Sequence, residues 1–576
     1  DSTYGSTWSW VSYSGSTPYD SGVRLVDVNG DHRSDILAAY TGTLGIYEDS
    51  FAVQLAENDP MGWREVDDSY YPVPVGFVQQ TTGFYMDEGT RFADVDGDGL
   101  TDMVKSESVS AGSDNGVYLN DAEPADHLTN IDLGSGASII VDYAAADHAT
   151  NPDLPYVVQT VSSITKDDGL GNSVTTTYDY AGGEHYFESL ERQRFAGFET
   201  ITETIDDRVT TYYYHQGNDA NTTAGEQADS WYYIGLVYRT ETTDTAGTPF
   251  KTAVTWWESD DHFTYPTQRT QLLYNSDGTH VDTAQSFTYD TATGNLTDHS
   301  AWGEVTASDD GSFTDSGADT VITTWSYADD ADDEIVQAIS RETLTDTAGI
   351  TVQDTLYSYD NLAFDNVTTG NVTQAEVWIS SSDYATTSYT YDVYGNALTQ
   401  TDPLGNTTTT VYDSYNLYPE TITNALDHVQ TFEYDFSAGR PTRVVEANGT
   451  ITEMDYDGLG RSKEERQSST SDAATLETTQ SWEYDDTSSS RSVTQRTYLL
   501  TLMYQEAITY VDGFSRVVDV KTLNEDGTGY TEMEKTYTEL GRVATSTLPE
   551  ESATSAYDAN TVSADLSEQY TYDPLS

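Results

Sequence analysis

The sequence predicts an all-β protein: a partial β-propeller with calcium loops, followed by a spiralling β-hairpin shell. A tyrosine-aspartate unit recurs at near-fixed spacing. Helix-favouring runs of Ala, Leu, Glu and Lys are scarce. Thr, Ser, Tyr, Asp and Gly dominate instead, with turn residues between β-prone stretches.

The repeat is clearest at Tyr391-Asp392, Tyr412-Asp413, Tyr434-Asp435 and Tyr456-Asp457, in steps of 21, 22 and 22 residues. In each unit a run rich in Thr, Tyr and Val ends in Tyr-Asp, and a Gly is expected within a few residues. Asp starts a turn by bonding its own backbone, and Gly supplies the positive φ. Each unit therefore reads as a hairpin, and one hairpin buries its face only by stacking on the next. Looser copies are Tyr289-Asp290 with Gly294-Asn295, Tyr359-Asp360 with Gly370-Asn371, Tyr484-Asp485, Tyr510 with Gly513 and Arg516, Tyr537 with Gly541-Arg542, and Tyr572-Asp573. This pattern, YDxxGN or YDxxGR about every 20 residues, resembles the RHS/YD-repeat family. The resemblance implies a β-shell segment over residues 266–576. Acidic insertions there, such as Asp329 to Glu334, read as solvent-facing loops.

Only 36 % of the residues are apolar, and the 44 tyrosines compensate, because each buries a ring while its hydroxyl stays bonded or wet. The formal net charge is −74. Nucleic acid and anionic membrane surfaces are excluded as partners, since phosphate binding needs Lys and Arg. So acidic a surface repels itself at low salt and is screened at high salt, which points to a high-salt or calcium-rich setting such as a halophile's, the alternative being an ordinary acidic secreted protein. Cysteine is absent, so no disulfide contributes. No apolar run reaches the roughly 18 residues of a membrane-span candidate. No signal-peptide pattern precedes Asp1, and the chain reads as an internal part of a longer polypeptide.

Two loops near the N-terminus match. One runs Asp27-Val28-Asn29-Gly30-Asp31-His32-Arg33-Ser34-Asp35; the other runs Asp94-Val95-Asp96-Gly97-Asp98-Gly99-Leu100-Thr101-Asp102, 67 residues later. Alternate oxygen side chains (Asp27, Asn29, Asp31 and Asp35; Asp94, Asp96, Asp98 and Asp102) suit calcium, which takes about six to eight oxygens in flexible geometry. Arg33 and Leu100 would each give a backbone carbonyl. An EF-hand is excluded, since Ala38 and Lys105 stand where its bidentate Glu belongs and the flanks are strand-like. The loops resemble those of integrin-α-like FG-GAP/VCBS propeller blades, implying a propeller segment over residues 1–125. The bland alternative is a pair of acidic Asp-Gly turns.

Residues 126–265 read as strands around Thr175-Thr176-Thr177-Tyr178 and Thr210-Thr211-Tyr212-Tyr213-Tyr214. Leu154-Pro155-Tyr156, Asp168-Gly169-Leu170-Gly171-Asn172, Tyr178-Asp179-Tyr180-Ala181-Gly182-Gly183, Arg194-Phe195-Ala196-Gly197-Phe198 and Tyr213-Tyr214-His215-Gln216-Gly217 follow in order. They resemble the mid-region of toxin-complex (Tc) B components. That resemblance implies a non-enzymatic, secreted or cell-surface scaffold that encloses and helps deliver a toxin or effector. Its partners would be the rest of its own longer chain, a delivery subunit or a receptor. The alternative is an extracellular calcium-binding adhesion or surface-assembly protein. Arg192 and Arg194 read as internal ion-pair partners. His127, His185 and His215 read as packed rings, and no phosphate loop, zinc motif or nucleophile elbow occurs. Six sequons, including Asn295, would accept glycans on an exported chain.

Overall fold

The structure is a computed structural model. It describes residues 127–572 except 147–148, 219–221, 228–229, 261–262, 333, 469–475, 488–490, 501–502 and 558–566. Before residue 127 it describes 11–14, 17–20, 22–27, 34–42, 50–56, 63–66, 77–81, 84–96, 99–106 and 115–120. Among these residues the only helical element is the 3-10 turn Thr222–Ala224, and the all-β reading holds.

The chain forms two compact units. One comprises Asp1–Ile131, Ile140–Ile164 and Tyr180–Phe187; the other comprises Asp132–Ile139, Thr165–Asp179 and Glu188–Ser576. In the first unit, Asp35–Gly42 pairs antiparallel with Val23–Val26 on one side and with Ser50–Ala56 on the other, and parallel with Val78–Thr81. A separate three-stranded sheet has the order Gly116–Tyr118, Asp102–Lys105, Thr90–Ala93. The dominant feature of the fold is a 32-stranded sheet from Asn130–Asp132 to Ser567–Gln569, in which successive strands pair almost without exception.

The Tyr-Asp units are the hairpins of that ladder. Asp392 accepts the N–H of Tyr394 at 2.8 Å and of Asn396 at 2.9 Å, and Gly395 takes φ +88°. Asp457 does the same for Leu459 and Arg461. The unit at Tyr412-Asp413 departs from expectation. It has no Gly, and Asn416 takes the left-handed conformation at φ +56°, which Asn tolerates better than most residues.

Most repeat tyrosines also sit at a β-bulge, Tyr484 being an exception. The register shifts between Thr390 and Tyr391, Val411 and Tyr412, Glu433 and Tyr434, and Asp455 and Tyr456. A bulge re-aims a side chain. At Tyr391, Tyr456 and Tyr537 the hydroxyl reaches back to the strand of an earlier hairpin, and Tyr484 does the same without a bulge. Tyr391 donates to the Val372 carbonyl at 2.7 Å, Tyr456 to Pro441 at 2.8 Å, Tyr484 to Ser462 at 2.9 Å and Tyr537 to Val517 at 2.6 Å. The arginine of a Gly-Arg turn then covers a later tyrosine. Arg461 lies 3.9 Å from the Tyr484 ring centre, Arg516 4.7 Å from Tyr537 and Arg542 4.5 Å from Tyr572. The repeat period is thus a bonding period as well as a folding one.

From Gln374 to Thr450 no residue is buried. This stretch has no apolar core of its own and is held by cross-strand contacts. Thr390 and Thr399 hydroxyls meet at 2.6 Å, and Thr401 and Thr407 at 2.8 Å. Further on, Glu433, Arg443, Glu453, Arg466 and Asp455 form a row of ion pairs at 2.9–3.4 Å. Each such half-exposed pair contributes little alone, and a network contributes more.

Three local expectations meet corrections. Asp330 is not a solvent-facing loop residue. It is buried, accepts the N–H groups of Glu334 and Ile335, and with Asp329 forms a short parallel pairing with Asn366–Val367. Arg192 makes the expected ion pair, with Glu188 at 3.3 Å. Arg194 instead donates to the Trp231 and Ile234 carbonyls and stacks on the Trp231 ring. Asn295 is buried and bonded to the Val336 carbonyl, so this sequon offers no glycan acceptor in the folded chain.

Asp360 organises the longest Tyr-Asp turn. Its carboxylate accepts the N–H groups of Thr368, Thr369, Gly370 and Asn371 at 2.8–3.1 Å. Burial pushes its pKa up, but these donors outweigh burial and hold it far below the carboxylate range. Its contribution to stability is therefore complete above the unfolded value, near about pH 4, and is lost as pH falls below it. Asp360→Ala should cost about 1–2 kcal/mol at neutral pH and flatten the acid side of the unfolding profile, as measured by urea titration against pH.

Candidate metal centre

The loop at 94–102 connects Thr90–Ala93 to Asp102–Lys105. These strands pair with Ala93 opposite Asp102 and Thr90 opposite Lys105, so the loop's two ends are held together. Carboxylate oxygens of Asp94, Asp96 and Asp102 lie within 4.8 Å of one another. Asp102 is fully buried, while Asp94 and Asp96 are exposed. Asp102 is fixed by backbone donors: Val95 N–H at 2.7 Å on one oxygen and Asn120 N–H at 2.8 Å on the other. Asp94 accepts the Gly99 N–H at 3.0 Å. Leu100 is buried, anchoring the loop from below. Three carboxylates this close, one of them without solvent, repel one another unless a cation joins them. An all-oxygen donor set fits a hard cation such as calcium. Asp98 lies outside the described residues.

The loop at 27–35 has the same frame. Val26 lies opposite Asp35 and Val23 opposite Ala38, each pairing displaced by 67 residues from the second loop's. Asp35 is fully buried, like Asp102. Asp27 is described; Asn29, Asp31 and Arg33 lie outside the described residues. The structure therefore brings three of the ten expected ligand residues together and places both buried anchors alike.

A second matched element precedes each loop at the same offset. Arg24 forks onto Asp20 at 3.0 and 2.8 Å, and Arg91 onto Asp87 at 3.2 and 2.9 Å. Gly22 and Gly89 follow these aspartates at φ +74° and +75°, donating to them at 2.9 and 2.8 Å. A Cβ on Gly89 would stand 2.2 Å from the Ser106 carbonyl oxygen, so the position requires glycine. The Arg91 fork holds Asp87 below the carboxylate range against partial burial. For Asp20, burial pushes upward and the Arg24 fork outweighs it. The signal was present in the sequence as Asp-x-Gly-x-Arg, seven residues before each loop.

The three histidines of residues 126–265 singled out by the sequence each meet a tyrosine ring or hydroxyl. His127 stacks on Tyr143 at 4.2 Å, His185 meets the Tyr156 hydroxyl at 3.0 Å, and His215 is buried between Tyr233 and Tyr238.

Residues 68–221, which include the second loop, match the family described as insecticide toxin TcdB middle/N-terminal region. The chain resembles a toxin-complex B component. No curated protein matches it in sequence. Among solved structures, a crystal structure of TcdB2-TccC3-TEV matches with a TM-score of 0.70 and 13 % identity over 96 % of this chain. A crystal structure of TcdB2-TccC3 and a Photorhabdus luminescens Tc holotoxin pore each match at 0.67 and 12 % over 92 %. This B-like chain spans 36–39 % of the length of the chains it matches. At such identity the likeness establishes a shared fold.

Proposed function

We propose that this chain is a non-enzymatic scaffold of a secreted toxin complex, its ladder forming the wall of a shell that encloses a toxin or effector. The observation that carries this reading is the coreless stretch from Gln374 to Thr450 within an otherwise continuous antiparallel ladder. A sheet with two uncovered faces is weak as an isolated module but serves as a partition, with contents on one side and solvent on the other. Continuous pairing along the ladder also leaves few free strand edges to aggregate. The shared fold with toxin-complex structures supports the same role. Its partners are then the remainder of a longer chain, including the cargo, and a delivery subunit. Calcium belongs to this reading as a structural ion at Asp94, Asp96 and Asp102, and in the matching frame of Asp27 and Asp35. High salt would screen the net charge of −74.

Protease protection tests the role. In particles purified from their source, a co-purifying polypeptide should resist added protease until the shell is denatured. Digestion of every co-purifying polypeptide at its free rate would contradict enclosure and favour an adhesion protein.

A further inference from the structure

We propose that the carboxylates packed around Lys521 form a proton-controlled latch on the late ladder, tight while Asp519 carries a proton and loosened when it ionises. The latch lies on one face of the strands Met503–Val511, Val517–Leu523, Tyr530–Tyr537 and Glu550–Ser552. Register puts Asp519 between Tyr510 and Glu534, Lys521 between Ile508 and Glu532, and Glu550 beside Glu532. Four carboxylates thus share a face with one ammonium.

Asp519 and Lys521 are fully buried, and Glu532 is nearly so. Lys521 Nζ lies 2.8 Å from Glu532 Oε1 but 3.8 Å from Asp519 Oδ2. The buried ammonium on this face therefore pairs more closely with Glu532 than with Asp519. Among the described residues neither oxygen of Asp519 has a hydrogen-bond partner, and Lys521 Nζ and Glu532 Oε1 meet as an ion pair without hydrogen-bond alignment. A buried carboxylate in that position is costly, and its protonated form relieves the cost. Among the described residues the neighbouring cations are engaged by other carboxylates. Glu506 is held by Arg496 at 2.6 Å and by the Tyr530 hydroxyl at 2.8 Å. The Tyr510 and Tyr557 rings meet tilted at 5.4 Å, and Asp512 is held by Arg516 at 2.6 Å. Asp168, on the turn that meets the Gly513 N–H at 2.8 Å, adds another anion. Arg516 divides itself between Asp512 and Asp168.

Burial, with Glu532 next, pushes Asp519 up to about 7, while Lys521 pulls the other way. A carboxyl raised on folding gives stability that is complete below the unfolded value, about 4, and is lost as pH rises to the folded one. The latch is therefore closed in mild acid and weak above neutrality, opposite in sign to Asp360.

Two measurements on the full chain test this. Infrared spectroscopy at about pH 5.5, where ordinary carboxyls are ionised, should show a carboxylic-acid carbonyl band that fades through about pH 7. Amide exchange of 517–523 and 530–537, corrected for base catalysis, should show an opening equilibrium that rises about tenfold per pH unit from about pH 5 to 7, then levels off. Asp519→Asn should abolish both. A missing acid band in the wild type, or an unchanged exchange profile in Asp519→Asn, overturns the proposal. Should that variant not fold, the wild-type band and exchange must titrate together; separate midpoints overturn it equally.

Discussion

Lys521→Ala should destabilise the late ladder by about 3–5 kcal/mol, the cost of removing one partner from a buried ion pair. The lysine is fully buried, its Nζ is 2.8 Å from Glu532, and Glu534 and Glu550 each place an oxygen out of solvent on the same face. Without the ammonium, Glu532 must take up a proton or the strands must separate. Lys521→Met, which keeps the volume, should still lose most of this stability, since the defect is charge rather than space. Urea unfolding at neutral pH checks both variants. A loss below about 1 kcal/mol in either would mean that water already reaches the cluster.

Asp102→Ala should remove one bound calcium and unfold its loop, while Asp94→Ala should remove the ion alone. The difference follows from burial. Asp102 satisfies two backbone donors at 2.7 and 2.8 Å, and deleting it leaves Val95 and Asn120 N–H groups unpaired at about 1–3 kcal/mol each. Asp94 is exposed, and its bond from the Gly99 N–H can pass to water. Calorimetric titration of chelated protein should count two ions in the wild type and one in either variant, with thermal stability separating the two. No saturable calcium uptake by the wild type would remove the metal centre from the account.

The repeat was legible because its chemistry is local. Tyr-Asp followed by a left-handed residue specifies a turn within one hairpin, and the period follows. The bulge at most of these tyrosines was not legible, because nothing within Val411-Tyr412 or Asp455-Tyr456 shows that the register must slip there. Its purpose appears only with the preceding hairpin in place, when the hydroxyl of Tyr456 meets the Pro441 carbonyl. The two matched acidic loops were legible as spacing, and the structure adds which carboxylate is buried. The Asp-Gly-Arg staple before each loop was present in the sequence but carries no familiar ligand signature. Asp330 was misread as a surface acid, since composition cannot distinguish a solvated carboxylate from one capping its own loop. The Lys521 cluster was invisible for a different reason: it depends on the pairing register of several strands, and in a chain with 98 acidic residues no single carboxylate stands out.

The most direct test of the scaffold role is a density map of the intact particle purified from its source. A closed wall of successive antiparallel strands, with unassigned density inside it, is the result expected of a shell that encloses cargo. An open filament or lattice, with chains joined end to end and no interior, would contradict it.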